Sequence, residues 1–310
     1  MLSLALVAAL AAAPETPVAL PSQPAPLHGT LLTPEGAPKA VAVMLPGSGP
    51  TDRNGEGPGN RSASTRLMAE ALARQGIATL RMDKRGVGES RAAMTAEADV
   101  RFDTMAEDAL AWTAEAVRQT GLPCAWLIGH SEGALVALVA AQQAGAPICG
   151  LVLVAGAGRP AGDVLREQLN ASLPDALKPD AMRALDDLEA GRTTQAPDAL
   201  AAVFRPSVQP YLMSWLLLDP AKLAADYAGP ILIVQGDHDI QIPMSDAERI
   251  AAAQSRAELA RFEGMNHVLK IAPADRAGNI ATYADPDLPL APGVAEAVGG
   301  FILKAGNGAR

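Results

Sequence analysis

The run Leu127-Ile128-Gly129-His130-Ser131-Glu132-Gly133-Ala134-Leu135-Val136-Ala137 constrains this chain more than any other stretch. Apolar residues over 125–128 predict a buried strand, and those over 134–141 predict a helix. The Gly-x-Ser-x-Gly between them leaves room only for a sharp turn with Ser131 at its apex. A serine held there exposes its hydroxyl, and the following helix aims the positive end of its dipole at the same place. Gly129 and Gly133 suit a turn that crowds backbone against backbone. With 28 glycines in 310 residues, chance supplies roughly 0.1 such pentapeptides, so the strand and helix around the motif carry its meaning.

Strand and helix patterns alternate on both sides of this turn. Strands are predicted over 27–33, 41–45, 77–82, 151–155, 230–235 and 257–262, and helices over 64–74, 100–118, 244–254 and 294–303. Ser62 or Ser64 is the expected N-cap of the helix at 64–74. This alternation predicts an α/β chain with a doubly wound, mostly parallel sheet. Residues 160–228 break the rhythm with helical, Ala/Leu/Asp-rich sequence and no convincing strand. They read as a helical cap between two late strands, with residues 27–159 and 229–310 forming the core. Tyr211, Met213 and Trp215 could line an apolar pocket or form the cap's own core.

In such sheets the chemistry gathers at the carboxyl ends of the strands. The strand at 41–45 runs into Pro46-Gly47-Ser48-Gly49-Pro50-Thr51-Asp52-Arg53, whose glycines allow backbone N–H groups to face a developing negative oxygen. Ser48 and Ser131 are both placed at such strand ends. Asp83 and Arg85 read as ties within the following loop rather than as substrate contacts.

A serine hydroxyl needs a base, and the chain has four histidines. His28 precedes the sheet, His130 is locked beside Ser131 with its side chain diverging, and His238 lies between two acids. His267, in a loop after the last strand, is free to reach across and is the expected base. Asp239 is the expected acid, with Asp237 as its rival and as a candidate acceptor for loop amides.

The net charge of −9 and the lack of a long basic run argue against a nucleic-acid partner. No spaced His/Cys cluster or phosphate-binding glycine motif calls for a metal or organic cofactor. Residues 1–13 are almost wholly apolar, too short to span a bilayer, and end in small residues suited to signal cleavage, although no Lys or Arg precedes them. Export to the periplasm or medium is expected, and cytoplasmic residence if the run is not a signal. Residues 14–26, with five prolines, read as an extended linker. Cys124 and Cys149 precede adjacent predicted strands and could meet, but two unlinked thiols are the favoured reading.

The order Ser131, Asp239, His267 on alternating strands and helices resembles the α/β-hydrolase superfamily. The carrying motifs are Pro46-Gly47-Ser48-Gly49-Pro50 with Asp52-Arg53, Asp83-x-Arg85-Gly86-x-Gly88-x-Ser90, Gly129-His130-Ser131-Glu132-Gly133, Gly236-x-x-Asp239 and Asn266-His267. The first, the Arg205-Pro206-Ser207-Val208-Gln209-Pro210-Tyr211 segment and the run from Tyr283 to Leu290 look like a bacterial serine-esterase branch with a PGSGPxDRxG loop. The resemblance covers about residues 27–305 and implies an α/β-hydrolase fold with Asp239 as acid, His267 as base and the backbone N–H groups of Ser48 and Glu132 as oxyanion donors, Gly49 being the alternative to Ser48. It implies hydrolysis of small to medium carboxylic esters through an acyl-enzyme on Ser131, with no cofactor. Pro46-Gly47 replaces the His-Gly of many members, which leaves Ser48 or Gly49 as the loop donor. A peptidase, a thioesterase or acyltransferase, and a non-catalytic binding protein are the rival readings. The peptidase needs a cap acid such as Asp186, Asp187 or Glu189 to hold a substrate amine.

Overall fold

The computed structural model describes residues 13–308. Eight strands form one sheet: β1 (Glu15–Leu20), β2 (Leu27–Leu32), β3 (Ala40–Leu45), β4 (Ile77–Met82), β5 (Ala125–His130), β6 (Ile148–Val154), β7 (Ile231–Gly236) and β8 (Glu258–Phe262). Their order is β1-β2-β4-β3-β5-β6-β7-β8. The pairs β1–β2 and β2–β4 are antiparallel, and every pair from β4–β3 onward is parallel. The central strands read as continuous apolar runs because both faces are covered.

The helices are α1 (Ser64–Ala73), α2 (Phe102–Thr120), α3 (Glu132–Ala140), α4 (Ala161–Ser172), α5 (Lys178–Glu189), α6 (Ala201–Phe204), α7 (Gln209–Trp215), α8 (Pro220–Asp226), α9 (Met244–Ala253), α10 (Arg276–Ala281) and α11 (Val294–Gly308). On one face Val41, Val43, Leu127 and Leu153 pack against Phe102 and Trp112 of α2, the apolar α3, and Ile250 of α9. On the other, Ala42, Met44, Val152 and Val234 pack against Met68 and Leu72 of α1 and Val298 and Ile302 of α11. Successive strand residues thus feed opposite cores, and the sheet is doubly wound as expected.

Between β6 and β7 the described chain is helical, giving the inserted cap. Leu185, Leu188, Leu200, Phe204, Leu212 and Leu216 form a separate small core there. The insertion is not uniform. Ala224 of α8 belongs to the main core, so the chain has rejoined the body before residue 228.

Three expectations are corrected. The stretch at 14–26 is not simply a linker, since it contains β1, paired along its length with β2. Only Val18 of that strand is buried, and Pro17 sits on a sheet edge, so neither alternation nor propensity announces it. Helix α1 starts after Ala63, a left-handed residue with φ 53°, and neither serine caps it; Asn60 instead binds the Ser62 N–H through its side chain. Cys124 and Cys149, expected to be unlinked, form a disulfide with Cα atoms 5.3 Å apart. Adjacency of β5 and β6 brings together residues 25 apart in sequence.

The apolar stretch read as a signal falls, but for Ala13, outside the described residues. Among the described residues, no helix is long and apolar enough to cross a membrane.

Candidate active site

The Ser131 turn is built by close backbone approach. A Cβ on Gly129 would lie 2.1 Å from the Gly133 carbonyl oxygen, and one on Gly133 would lie 2.3 Å from that of Leu45. Both glycines therefore let α3 press against β5 and the end of β3. Ser131 itself has φ 54° and ψ −119°, a strained position for a residue with a side chain. Its N–H is held by the Val154 carbonyl at 2.8 Å. The Glu132 N–H lies in the first turn of α3, where helical N–H groups have no intrahelical acceptor.

The loop after β3 runs alongside. A Cβ on Gly47 would sit 3.3 Å from both Ser131 Cβ and His130 Nδ1, so this backbone lies against the turn. Ser48, Gly49 and Glu132 all border one cavity beside it. The loop is tied down by Asp83, whose Oδ1 accepts from the Arg53 backbone N–H at 2.9 Å and whose Oδ2 accepts from the Arg53 guanidinium at 2.5 Å. Arg85 pairs with Asp108 at 2.7 Å. Both residues act as ties, as their sequence context suggests.

The end of β7 and the loop after β8 supply an acid and an imidazole. His267 Nδ1 lies 2.8 Å from Asp239 Oδ2, and both side chains are nearly inaccessible. Burial pushes the Asp239 carboxyl up, but His267 and the amides of Ile242 and Gln241 outweigh it and hold the pKa below its ordinary value. Gln235 donates to the same Oδ2 at 3.1 Å. Asp237, the rival, accepts from the Gly264 N–H at 2.7 Å and so fixes the turn before His267. Among the described residues no hydrogen bond joins the Ser131 hydroxyl to His267, whose Nδ1 is engaged by Asp239.

The other histidines have different work. His130 Nε2 donates to the His267 carbonyl at 2.7 Å, and the two rings lie 4.9 Å apart. Burial, and secondarily the His267 ring beside it, lower the His130 pKa to about 4, which keeps it neutral. His238 Nδ1 donates to the Ala272 carbonyl at 2.6 Å. His28 is part of β2.

The cavity has a volume of about 590 Å³, within the range of small-ligand sites. Its walls are mainly apolar, among them Leu45, Met82, Met94, Met105 and Val136. Tyr211 and Trp215 of α7 close it from the cap side. Met213, read with them, does not line it and packs against the cap's own core; one turn of helix puts 211 and 215 on one face and 213 on another. Of the charged groups on its wall, Lys84 pairs with Glu132, Arg85 with Asp108 and Arg205 with Glu97, while Asp99 has no ion pair among the described residues. Of the cap acids, Asp186 and Glu189 pair with Arg166, and Asp187 with Arg192.

Sequence reasoning assigned no role to several supporting residues. Asn266 accepts from the N–H groups of Val268 and Lys270 and donates to Thr282 at 2.7 Å, which shapes the His267 loop. Gln241 donates to the Tyr283 hydroxyl at 3.1 Å, joining the acid's loop to the late Tyr283 run. Lys84, inside the Asp83-Lys84-Arg85-Gly86 motif, donates to the Gly47 carbonyl at 2.5 Å. Its place directly after a strand end was the available signal.

A family model described as serine aminopeptidase, S33, matches residues 56–271. The esterase EstD of Thermotoga maritima is 26% identical over 249 residues, which is 78% of this chain. This chain spans 58% of that relative's length. The structure of Est1E from Butyrivibrio proteoclasticus, solved with ferulic acid, superposes with a TM-score of 0.61 at 19% identity, covering 93% of this chain and 98% of that one. The proline iminopeptidase of Mycobacterium smegmatis gives 0.60 at 17% identity, covering 95% and 100%. Esterase and peptidase neighbours thus share this fold. With the family model covering more than two thirds of its length, the chain belongs to the S33 serine aminopeptidase family of α/β-hydrolases.

Proposed function

We propose that the protein is a serine hydrolase of carboxylic esters, with Ser131 as nucleophile, His267 as base and Asp239 as the orienting acid. The observation that carries this reading is the 2.8 Å contact between His267 and Asp239 at the same sheet edge as the Ser131 turn. Asp239, held ionised, accepts the Nδ1 proton of His267 and leaves Nε2 free. Nε2 takes the Ser131 proton as the hydroxyl oxygen attacks the ester carbonyl. The N–H groups of Ser48 and Glu132 receive the oxyanion; losing one such donor typically costs about 3 kcal/mol of barrier. His267 then protonates the leaving alcohol and activates the water that releases the acid.

The pairing of most wall charges favours an ester over an amino-acid amide. A free substrate ammonium needs an unpaired carboxylate; the cap acids Asp186, Asp187 and Glu189 are engaged away from the cavity, which leaves Asp99 as the wall carboxylate without an ion pair among the described residues. The walls suit an uncharged, aliphatic acyl group of short to medium length. The peptidase reading keeps one support, the S33 family itself. We also read the protein as exported to an oxidising compartment, supported by the apolar N-terminus and the Cys124–Cys149 bridge. Two free thiols in the unfolded, unreduced protein would remove that support.

The test is a p-nitrophenyl ester series, a matched thioester and an amino-acid p-nitroanilide, given to the wild type and Ser131→Ala. Ester turnover that disappears in Ser131→Ala, and stops rising by about ten acyl carbons, is the expected result; each further buried CH₂ is worth up to ~0.8 kcal/mol. Anilide turnover above ester turnover would establish the peptidase. No turnover, with no labelling of Ser131 by a fluorophosphonate, would leave a binding protein.

A further inference from the structure

We propose that Lys84 is a positioning residue for the oxyanion loop: its ammonium grips the Gly47 carbonyl and thereby aims the Ser48 N–H of the same peptide at the reacting centre. The inference rests on the acyl-transfer reading above.

Lys84 follows the buried Asp83 at the carboxyl end of β4, and β4 lies beside β3 in parallel register. Its side chain therefore runs beneath the loop that leaves β3. Nζ donates to the Gly47 oxygen at 2.5 Å but stands 3.7 Å from Glu132 Oε2, so its closest bond is to the loop and not to its ionic partner. The Gly47–Ser48 peptide is trans, since the one cis bond lies at Gln23–Pro24 among the described residues. A trans peptide sends its carbonyl and its N–H in opposite directions. Holding the carbonyl toward Lys84 turns the Ser48 N–H the other way. The position matters because this backbone lies against Ser131 and His130. A charge-assisted bond to the carbonyl also polarises the amide, which makes its N–H a stronger donor. Ser48, rather than Gly49, is therefore the loop donor.

Glu132 keeps the ammonium in place. Lys84 is 12% exposed and Glu132 is 5% exposed, so each charge lacks most of its water. Burial lowers the Lys84 pKa, and the Glu132 carboxylate opposes that shift. The other Glu132 oxygen accepts from the Tyr211 hydroxyl of the cap. The cap is thus linked to the oxyanion loop through Tyr211, Glu132, Lys84 and Gly47.

The test compares the wild type with Lys84→Met, which keeps the side-chain length, and with Lys84→Gln, which retains a neutral N–H donor. The readouts are kcat and KM on a p-nitrophenyl ester and inhibition by an alkyl boronic acid, whose serine adduct places an oxygen where the oxyanion forms. Lys84→Met should lower kcat roughly 10- to 100-fold with KM within about threefold, and weaken the boronic acid by a similar factor. Lys84→Gln should recover part of both. If Lys84→Met does not fold, as judged by its thermal transition, Lys84→Gln carries the same comparison. A folded variant with kcat and boronic acid affinity within twofold of wild type overturns the proposal while leaving the esterase reading intact. A rise in KM alone also overturns it, since Lys84 would then be touching substrate. A wild type inactive on esters and indifferent to the boronic acid overturns both.

Discussion

The Ser131 turn and the cap over it are built by opposite means. The turn is held by backbone approach within one strand–turn–helix unit, and nearly every residue of α3 is buried. The cap has its own core and reaches the body through side chains. Trp215 stacks on Phe102 of α2 with ring centroids 5.8 Å apart, Ser214 accepts from the Phe102 N–H at 2.9 Å, and Arg205 and Ser207 share Glu97. Among the described residues, Tyr211 alone in that group hydrogen-bonds to Glu132, the residue after Ser131. A reaction centre needs atoms fixed within fractions of an ångström, and backbone packing gives that. A pocket roof needs shape, which side-chain contacts supply and which sequence change can alter without moving the centre.

Paired glycine substitutions sharpen the contrast most. Gly133→Ala sets a methyl group 2.3 Å from a β3 carbonyl that cannot yield, and should cost on the order of 3 kcal/mol with loss of turnover. Gly162→Ala in the cap meets the Glu189 Oε1 atom at 2.0 Å, the far end of a flexible side chain. It should change stability by less than about 1 kcal/mol, partly offset by better helix propensity. Urea denaturation of both variants makes the comparison, and equal losses would break it.

The next effect is acid sensitivity at the turn. His130 is neutral in the folded chain until about pH 4, whereas an unfolded imidazole takes its proton near 6.5. Its contribution is therefore whole above about pH 6.5 and declines as pH falls toward 4, by about 3 kcal/mol in all. Denaturant midpoints between pH 7 and 4 should fall in the wild type and fall less steeply in His130→Gln.

The smallest effect belongs to the cap's rim. Glu97→Gln weakens its bonds to Arg205 and Ser207, but those groups are partly solvated, so less than about 1 kcal/mol is expected. A thermal transition lowered by as much as that of Gly133→Ala would show that the cap is not the separable unit described above.

These contrasts follow what was legible beforehand. The central strands and the helices around them were readable because continuous apolar runs and 3.6-residue periodicity act locally. The Ser131 turn was readable for the same reason, since its requirements fall within five residues. β1 was not, because an edge strand with one buried side chain carries almost no pattern. Nor was Met213, whose place depends on which face α7 turns to the body. Lys84 sat in full view within a recognised motif, but its acceptor lies 37 residues away on another strand's loop.

The sequence by itself therefore determined the fold class, the Ser131 turn and a short list of acids and imidazoles able to serve it. Those features follow from periodicity, glycine placement and residue chemistry over short windows. Only the tertiary structure decided that Asp239 and not Asp237 meets His267, that Cys124 meets Cys149, and that Lys84 and Arg85 on the cavity wall face Glu132 and Asp108. Each of those is a contact between segments far apart in the chain. It is fixed by strand order and loop direction, which no local run of residues encodes.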